Sequence, residues 1–215
     1  MPYPLGVVAI TFGPVPLVDS ARRAAALGFD HIDIGDRGRA PDETLPAMAL
    51  PVGDRICSRG FRRGETSMAP PLRSGDSFDE AVATLRLHPG ARVETVPGSV
   101  AGSVERARAL VEAVPGLRLT VDTGHVATWG EDPIELLGWA AHVQLRQAAH
   151  GRPQLHPDED GDVDFDAVVR ALRRVGYEGL LSVEYFDLPS YGWPLADPVG
   201  HAVALARCVR PLLVS

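Results

Sequence analysis

The chain has 215 residues, 45% of them hydrophobic, and a formal net charge of −7. Its length suits one well-filled core, so we expect a single domain over residues 1–215. The sequence contains no lysine, which excludes Schiff-base catalysis and a phosphate-binding P-loop, and its dispersed acidic residues argue against a nucleic-acid partner.

The amino-terminal region carries no pattern of export or membrane insertion. The first ten residues have no basic start and are broken by Pro2 and Pro4. No apolar run approaches the roughly 18 residues of a membrane span. We therefore expect a cytoplasmic protein without a membrane partner.

The first part of the chain predicts strands and helices in alternation. The elements are a strand at 7–12, a helix at 17–27, a strand at 31–34 and a weaker strand at 55–58. Gly28 ends the helix. The sequence leaves the structure of residues 36–76 open, and residues 60–76, rich in Arg, Gly, Pro and Ser, are its least regular part and predict a long loop.

The remaining chain repeats the alternation more clearly. Either Asp76 or Ser77 is a candidate N-cap for the first helix of this part and Ser103 for the next, and glycines or Pro-Gly pairs end several helices. The predicted helices cover residues 77–87, 104–114, 133–139, 165–175 and 198–209. The predicted strands cover residues 91–96, 117–122, 142–145 and 180–185.

Four polar side chains lie within or at the downstream end of these later strands. They are Glu94, Asp122, Gln144 and Glu184. A polar group at that depth costs roughly several kcal/mol unless it finds a partner, and one divalent metal ion would serve all four. The oxygen-rich set suits Mn²⁺ or Mg²⁺, with Co²⁺ or Zn²⁺ as alternatives. For any one residue alone, a bond to loop amides or to an arginine is an equally good explanation.

The fold follows from the same residues. Continuous apolar strands alternating with helices predict a parallel sheet covered by helices, either doubly wound or closed into a barrel. Because a barrel gathers all its strand ends around one mouth, four convergent ligands favour a (β/α)₈ TIM-type barrel. About seven strands are clear, so we expect a shortened or irregular N-terminal half, with one unit trimmed between Gly38 and Arg92.

Three further residues are candidates for substrate binding. His125 follows Asp122 by three positions, and Arg152 and His156 lie in the polar loop after the Gln144 strand. An imidazole beside a metal ligand can bind a substrate hydroxyl, and an arginine fork can bind a carboxylate or phosphate. A structural or solvated role is the ordinary alternative for each of them.

These segments resemble the xylose isomerase-like TIM-barrel superfamily, the sugar phosphate isomerase/epimerase group that also includes endonuclease IV. The resemblance is carried by Arg-Val-Glu-Thr-Val, Val-Asp-Thr-Gly-His-Val, His-Val-Gln-Leu-Arg-Gln and Leu-Ser-Val-Glu-Tyr-Phe, which contain the four candidate ligands. Epimerases of this group place histidine at position 144. Glutamine there, followed by Gly151-Arg152, is similar to the hydroxypyruvate isomerase-like branch.

The resemblance implies a function for the cluster. Glu94 and Glu184 would be the acid/base pair, and His125 with Arg152 would contact the substrate. The upstream histidines of endonuclease IV have no convincing counterparts here, which disfavours a DNA-repair nuclease. The implied partner is a small polyhydroxy or keto substrate, and a homodimer is compatible with it.

Three functions follow from this reasoning. The first is a metal-dependent isomerase or epimerase of a small sugar or hydroxy-carbonyl compound, which transfers a proton through an enediolate. The second is a dehydratase on the same scaffold. The third, suggested by the short N-terminal half and the glutamine at position 144, is a degenerate barrel without catalysis.

Overall fold

A computed structural model describes residues 3–35, 49–56, 77–88, 90 and 92–214. These residues contain one sheet of seven strands, and every pairing in it is parallel. The strands are β1 (Leu5–Val8), β2 (Ile32–Gly35), β3 (Val52–Ile56), β4 (Arg92–Glu94), β5 (Arg118–Asp122), β6 (Ala140–Leu145) and β7 (Leu180–Val183). The predicted loop at residues 60–76 lies outside the described residues.

The strand order explains the shape of the sheet. It runs β3-β2-β1-β7-β6-β5-β4, so the first strand pairs with the last one. Pairing of the first with the last strand is the closure expected of a barrel, and the sheet curls into a partial one. Its end strands among the described residues are β3 and β4. The predicted TIM-type α/β barrel with about seven strands is confirmed.

Helices follow the strands and cover the outside of the sheet. They are α1 (Leu17–Ala26), α2 (Phe78–Arg86), α3 (Val104–Ala113), α4 (Thr123–Thr128), α5 (Phe165–Arg174) and α6 (Pro198–Val214). Ser77 and Glu80 form a capping box at α2, and the Ser103 side chain accepts from the backbone N–H of Arg106 at α3. Both predicted caps are thus present. No described helix is both long and apolar enough to span a membrane.

Three local predictions differ from the structure. Residues 9–12 form a 3₁₀ turn instead of the end of a strand, because a short apolar run does not separate these alternatives. Residues 133–139 are also 3₁₀, with Pro133 at the start of the segment and Gly138 inside it. Residues 123–128, expected to turn after the strand, form the short helix α4.

Alternation along the strands separates an apolar face from a polar one. Leu119 and Val121 of β5 are fully buried and belong to the hydrophobic core. The intervening Thr120 and Asp122 are also fully buried and must point to the other face. The same spacing places His142 and Gln144 of β6 on this polar face. Ser182 of β7 and Glu184, which directly follows β7, lie on it as well. The sheet therefore presents a buried polar face inside its curl.

Candidate active site

Three carboxylates meet at the downstream end of the sheet. Glu94 ends β4, Asp122 ends β5 and Glu184 directly follows β7. His125 lies between two of them: its Nδ1 is 3.6 Å from Glu94 Oε1 and 3.4 Å from Asp122 Oδ2. Glu184 lies close enough to Glu94 and Asp122 for their charges to raise the pKa of its carboxyl group. Three of the four predicted ligands are thus in one cluster.

Helix α4 fixes the positions of Asp122 and His125. Asp122 is its N-cap, and Oδ1 accepts from the backbone N–H groups of Gly124 at 2.8 Å and His125 at 3.0 Å. The Asp122 backbone N–H donates to the Thr95 hydroxyl at 3.1 Å. These bonds leave Asp122 Oδ2 facing the other carboxylates.

His125 is held as a neutral imidazole. Its Nδ1 lies 2.9 Å from the backbone carbonyl of Thr95, which can only accept, so Nδ1 carries the proton. Burial lowers the pKa of His125 to about 4, with Arg146 adding to the effect and Asp122 opposing it. Nε2 consequently presents a lone pair, and no described residue is hydrogen-bonded to it.

Asp122 and Glu184 are driven to opposite protonation states. Burial alone would raise the pKa of Asp122, but the charges of Arg146 and His125 and the hydrogen bonds that it accepts lower it. Burial raises the pKa of Glu184 well above its ordinary value, and the charges of Glu94 and Asp122 raise it further. Of these two carboxyl groups, Glu184 is therefore the one whose protonated form the surroundings favour.

Gln144 is the fourth predicted ligand, and its amide has no hydrogen-bond partner among the described residues. It pairs in register with Asp122 on the neighbouring strand, so its side chain lies beside that carboxylate on the polar face. The residue is fully buried, yet neither Oε1 nor Nε2 is hydrogen-bonded to any described residue. A buried amide without partners is rare and calls for a bound group.

The two other glutamines of the chain are fully engaged in the loop that follows β6. Gln147 donates to the carbonyl of Val163 and accepts from the N–H groups of Ala148 and Val163, at 3.0 to 3.1 Å. Gln154 both donates to and accepts from the backbone of Phe186, each at 2.9 Å. Two of the three amides thus hold the backbone together, which sets Gln144 apart.

Arg146 belongs to the site, although the sequence reasoning passed over it. Its guanidinium is fully buried, and Nη2 donates to Asp122 Oδ2. The guanidinium carbon lies 4.8 Å from the ring centre of Phe186 and 5.9 Å from that of Trp193. The available signal was its position two residues after Gln144, because period-two spacing puts both side chains on one face.

Trp193 covers this end of the sheet. It comes from the loop after β7, where its backbone pairs with Leu188 in a short antiparallel bridge. Its ring centre is 5.2 Å from that of His125 and 5.3 Å from that of Phe186. The site therefore has an aromatic wall beside its imidazole and guanidinium groups.

Arg152 and His156 lie at the rim instead of the buried cluster. The Arg152 side chain is 54% exposed and pairs with Glu159 at 2.8 Å. The His156 side chain is 36% exposed and packs edge-on against His201. Within the described ranges the structure gives neither of them a contact with the three carboxylates, so their substrate-binding role stays a prediction.

A second polar layer lies one step deeper on the same face. His142 Nε2 is 2.9 Å from Asp33 Oδ2, and His31 Nε2 is 3.0 Å from Ser182 Oγ and 3.6 Å from Asp33 Oδ1. Burial alone would raise the pKa of Asp33, but the charges and hydrogen bonds of this layer, led by His142, lower it. A Cβ atom at Gly6 would lie 2.2 Å from the His31 ring, so glycine makes room there.

The donor set at the mouth suits a divalent cation. Glu94, Asp122 and His125 each offer a ligand atom within 4.8 Å of the others, and the Gln144 carbonyl is an uncommitted oxygen nearby. Carboxylate and amide oxygens are the ligands that Mg²⁺ and Mn²⁺ prefer. The Nδ1 atom of His125 is already hydrogen-bonded to the Thr95 carbonyl, so the carboxylate and amide oxygens are the stronger candidates for metal ligands.

A curled parallel sheet with acidic groups at the carboxyl ends of its strands defines a TIM-type barrel of the enzymatic kind. The family model for the xylose isomerase-like TIM barrel matches residues 66–208, which include all four candidate ligands. The chain belongs to this family. No curated protein matches the sequence significantly.

Solved structures share the fold over nearly the whole chain. A xylose isomerase-like TIM barrel protein from Mycobacterium smegmatis, in complex with magnesium, has 15% identity and a TM-score of 0.72, covering 98% of this chain and 96% of its own. An L-ribulose 3-epimerase has 14% identity and a TM-score of 0.68, covering 100% and 95%. The probable 3-DHS dehydratase AsbF from Bacillus anthracis has 16% identity and a TM-score of 0.63, covering 92% and 97%.

Proposed function

We propose that this protein is a metal-dependent isomerase or epimerase of a small sugar or other hydroxy-carbonyl compound. The observation that carries the proposal is the pair Glu94 and Glu184. They come from β4 and β7, with the Asp122 and Gln144 strands between them. Such an arrangement places carboxyl groups on two sides of a bound substrate, as a proton transfer between adjacent carbons requires.

The two glutamates have different tasks in this proposal. Glu184, whose raised pKa keeps it protonated, gives a proton to the substrate. Glu94, whose side chain is 17% exposed, removes a proton from the carbon beside the carbonyl. The product of that removal is an enediolate, and returning a proton to the neighbouring carbon or to the opposite face gives the isomer or the epimer.

The surrounding residues bind and orient the substrate. The neutral His125 offers Nε2 as an acceptor for a substrate hydroxyl. A divalent ion held by Glu94, Asp122 and Gln144, which Glu184 would join as a ligand once it has released its proton, would polarise the substrate oxygens. Trp193 and Phe186 shield this region from water, and Arg152 and His156 would meet the outer part of the substrate.

The relatives support the class of reaction and leave the substrate open. One similar structure is named an L-ribulose 3-epimerase, and another was obtained with magnesium. Identities of 14 to 15% carry the fold alone, so the transfer of a sugar substrate and a metal to this chain is part of the proposal. Mn²⁺ and Mg²⁺ are the ions to test first.

Deuterium exchange provides a test that does not require the natural substrate. The protein is incubated with Mn²⁺ and a panel of ketoses, aldoses and hydroxypyruvate in heavy water, and products are followed by mass spectrometry and NMR. We expect one deuteron to enter the carbon beside the carbonyl. Glu184→Gln and Glu94→Gln should lower this rate by about 10²- to 10⁴-fold while the circular dichroism spectrum is unchanged.

The matched control is Glu112→Gln, the same change at an exposed position of α3. It should leave the exchange rate within about twofold of the wild type. Full turnover of the Glu184→Gln variant on a substrate of the wild-type protein would contradict the assigned role.

A dehydratase is the second candidate, because a protonated Glu184 can also donate its proton to a leaving hydroxyl group. The similar structure named a probable 3-DHS dehydratase makes this alternative concrete. The same mass measurement separates the two reactions, since dehydration removes one water whereas isomerisation changes the mass only by the deuterium that is taken up. A protein that takes up no Mn²⁺ or Mg²⁺ and exchanges no deuterium would instead be a barrel without catalysis.

A further inference from the structure

Arg146 is a cation built into the cluster of carboxylates. Its side chain is fully buried, Nη2 donates to Asp122 Oδ2, and the guanidinium packs against the rings of Phe186 and Trp193. Gly124 makes room for it, because a Cβ atom there would lie 2.5 Å from Arg146 Nε and 2.9 Å from its Cβ. The surroundings are shaped to hold this side chain in place.

The position of Arg146 has a direct consequence for Asp122. Oδ1 already accepts two backbone N–H groups, and Oδ2 accepts the guanidinium. An ion bound between Glu94, Asp122 and His125 therefore has to share Oδ2 with Arg146 or displace it. A divalent ion and a guanidinium at one carboxylate oxygen also repel each other in a buried, weakly screened site.

We propose that Arg146 competes with the divalent ion for Asp122 and thereby lowers the metal affinity of this site. The inference rests on the proposed metal-dependent function. In this proposal the ion is exchangeable, because it binds tightly only when the guanidinium of Arg146 leaves Asp122 for another acceptor. Nε and Nη1 of Arg146 have no hydrogen-bond partner among the described residues, so a substrate oxygen can serve as that acceptor.

Metal titration of variants tests the competition without any need for activity. Mn²⁺ binding to the metal-stripped full chain is measured by isothermal titration calorimetry and by the electron paramagnetic resonance signal of free Mn²⁺. Arg146→Met should lower the dissociation constant at least tenfold relative to the wild type. Arg146→Lys, which keeps the charge, should stay within about threefold of it.

Two further variants keep the test decisive. Arg108→Met removes an exposed arginine that pairs with Glu135 at 2.8 Å, and it should leave Mn²⁺ binding unchanged. If Arg146→Met does not fold, as judged by circular dichroism, Arg146→Gln takes its place, since it retains a donor for Asp122 without the charge.

The outcomes separate the inference from the proposed function. Equal dissociation constants in the wild type and the uncharged variants overturn the competition but leave a metal-dependent enzyme intact. Weaker binding in the uncharged variants also overturns it, because Arg146 would then organise the site. Absence of Mn²⁺ binding at millimolar concentration in every variant, including Arg146→Met, removes both the inference and the metal from the proposed function.

Discussion

The glutamines at positions 144 and 147 offer a matched pair of perturbations. Both side chains are buried, but Gln147 makes three hydrogen bonds to backbone groups whereas Gln144 makes none with the described residues. At about 1 kcal/mol for each bond, Gln147→Met should lower the free energy of unfolding by about 3 kcal/mol. For a protein of this size, that is a fall in melting temperature of about 6–12 °C.

Gln144→Met should behave in the opposite way. It removes two buried polar atoms that have no hydrogen-bond partner in the described part of the chain, so in metal-free protein the melting temperature should stay the same or rise by a few degrees. Addition of Mn²⁺ should then stabilise the wild type and the Gln147→Met variant, while Gln144→Met should gain less than half as much.

Thermal unfolding followed by circular dichroism, with a metal chelator and then with Mn²⁺ in excess, measures both effects on the same samples. If Gln144→Met costs as much stability as Gln147→Met without metal, Gln144 is a structural amide. In that case the argument from an unsatisfied amide to a ligand at this position fails.

Two other predictions concern the packing around the site. Asp33→Asn should lower the free energy of unfolding by about 3–5 kcal/mol at pH 7, since it removes the charge that faces His142 and His31. Because the pKa of Asp33 is lowered in the folded state, its contribution to the free energy of unfolding is complete above pH ~4 and is lost as the pH falls. The free energies of unfolding of the wild type and Asp33→Asn, measured by urea titration, should therefore converge at decreasing pH. A constant difference between the two proteins would contradict this. Gly124→Ala should destabilise the protein by about 1–3 kcal/mol in the same assay, because the new Cβ atom would clash with Arg146. This is the opposite of the usual effect, since alanine ordinarily favours a helix over glycine. Increased stability would show that the contact with Arg146 relaxes freely.

The fold was accessible from the sequence because its signals are repeated. Apolar strands, capped helices and glycine stops recur along residues 77–214, and each reports the same alternation. The short apolar run at 7–12 carried no such redundancy, and its last four residues form a 3₁₀ turn. Helix α4 was not predicted for a related reason. Thr123, Gly124 and Val126 are weak helix formers, and the segment is helical because the Asp122 side chain caps it.

The candidate site was accessible in part. Acidic residues at strand ends could be placed together from the topology of a barrel alone. The structure brings ligand atoms of Glu94, Asp122 and His125 within 4.8 Å of one another, and Glu184 lies near enough for the charges of Glu94 and Asp122 to raise its pKa. The pairing of Arg146 with Asp122 could not be derived, because an arginine at a strand end is usually solvated. It depends on the space left by Gly124 and on the ring of Phe186, and both arise only from tertiary packing.

The charges at the mouth show why a neutral amide suits position 144. Burial keeps His125 uncharged and favours the protonated form of Glu184, while Asp122 and Arg146 form a buried ion pair. Among these groups, Glu94 has the side chain that is most open to solvent, at 17%. In the proposed metal site an arriving cation would meet Glu94 first, and Gln144 would supply an oxygen without adding charge. A carboxylate at position 144 would hold the ion more tightly and would also pull Arg146 away from Asp122, so an amide at this position fits the proposed competition between Arg146 and the ion.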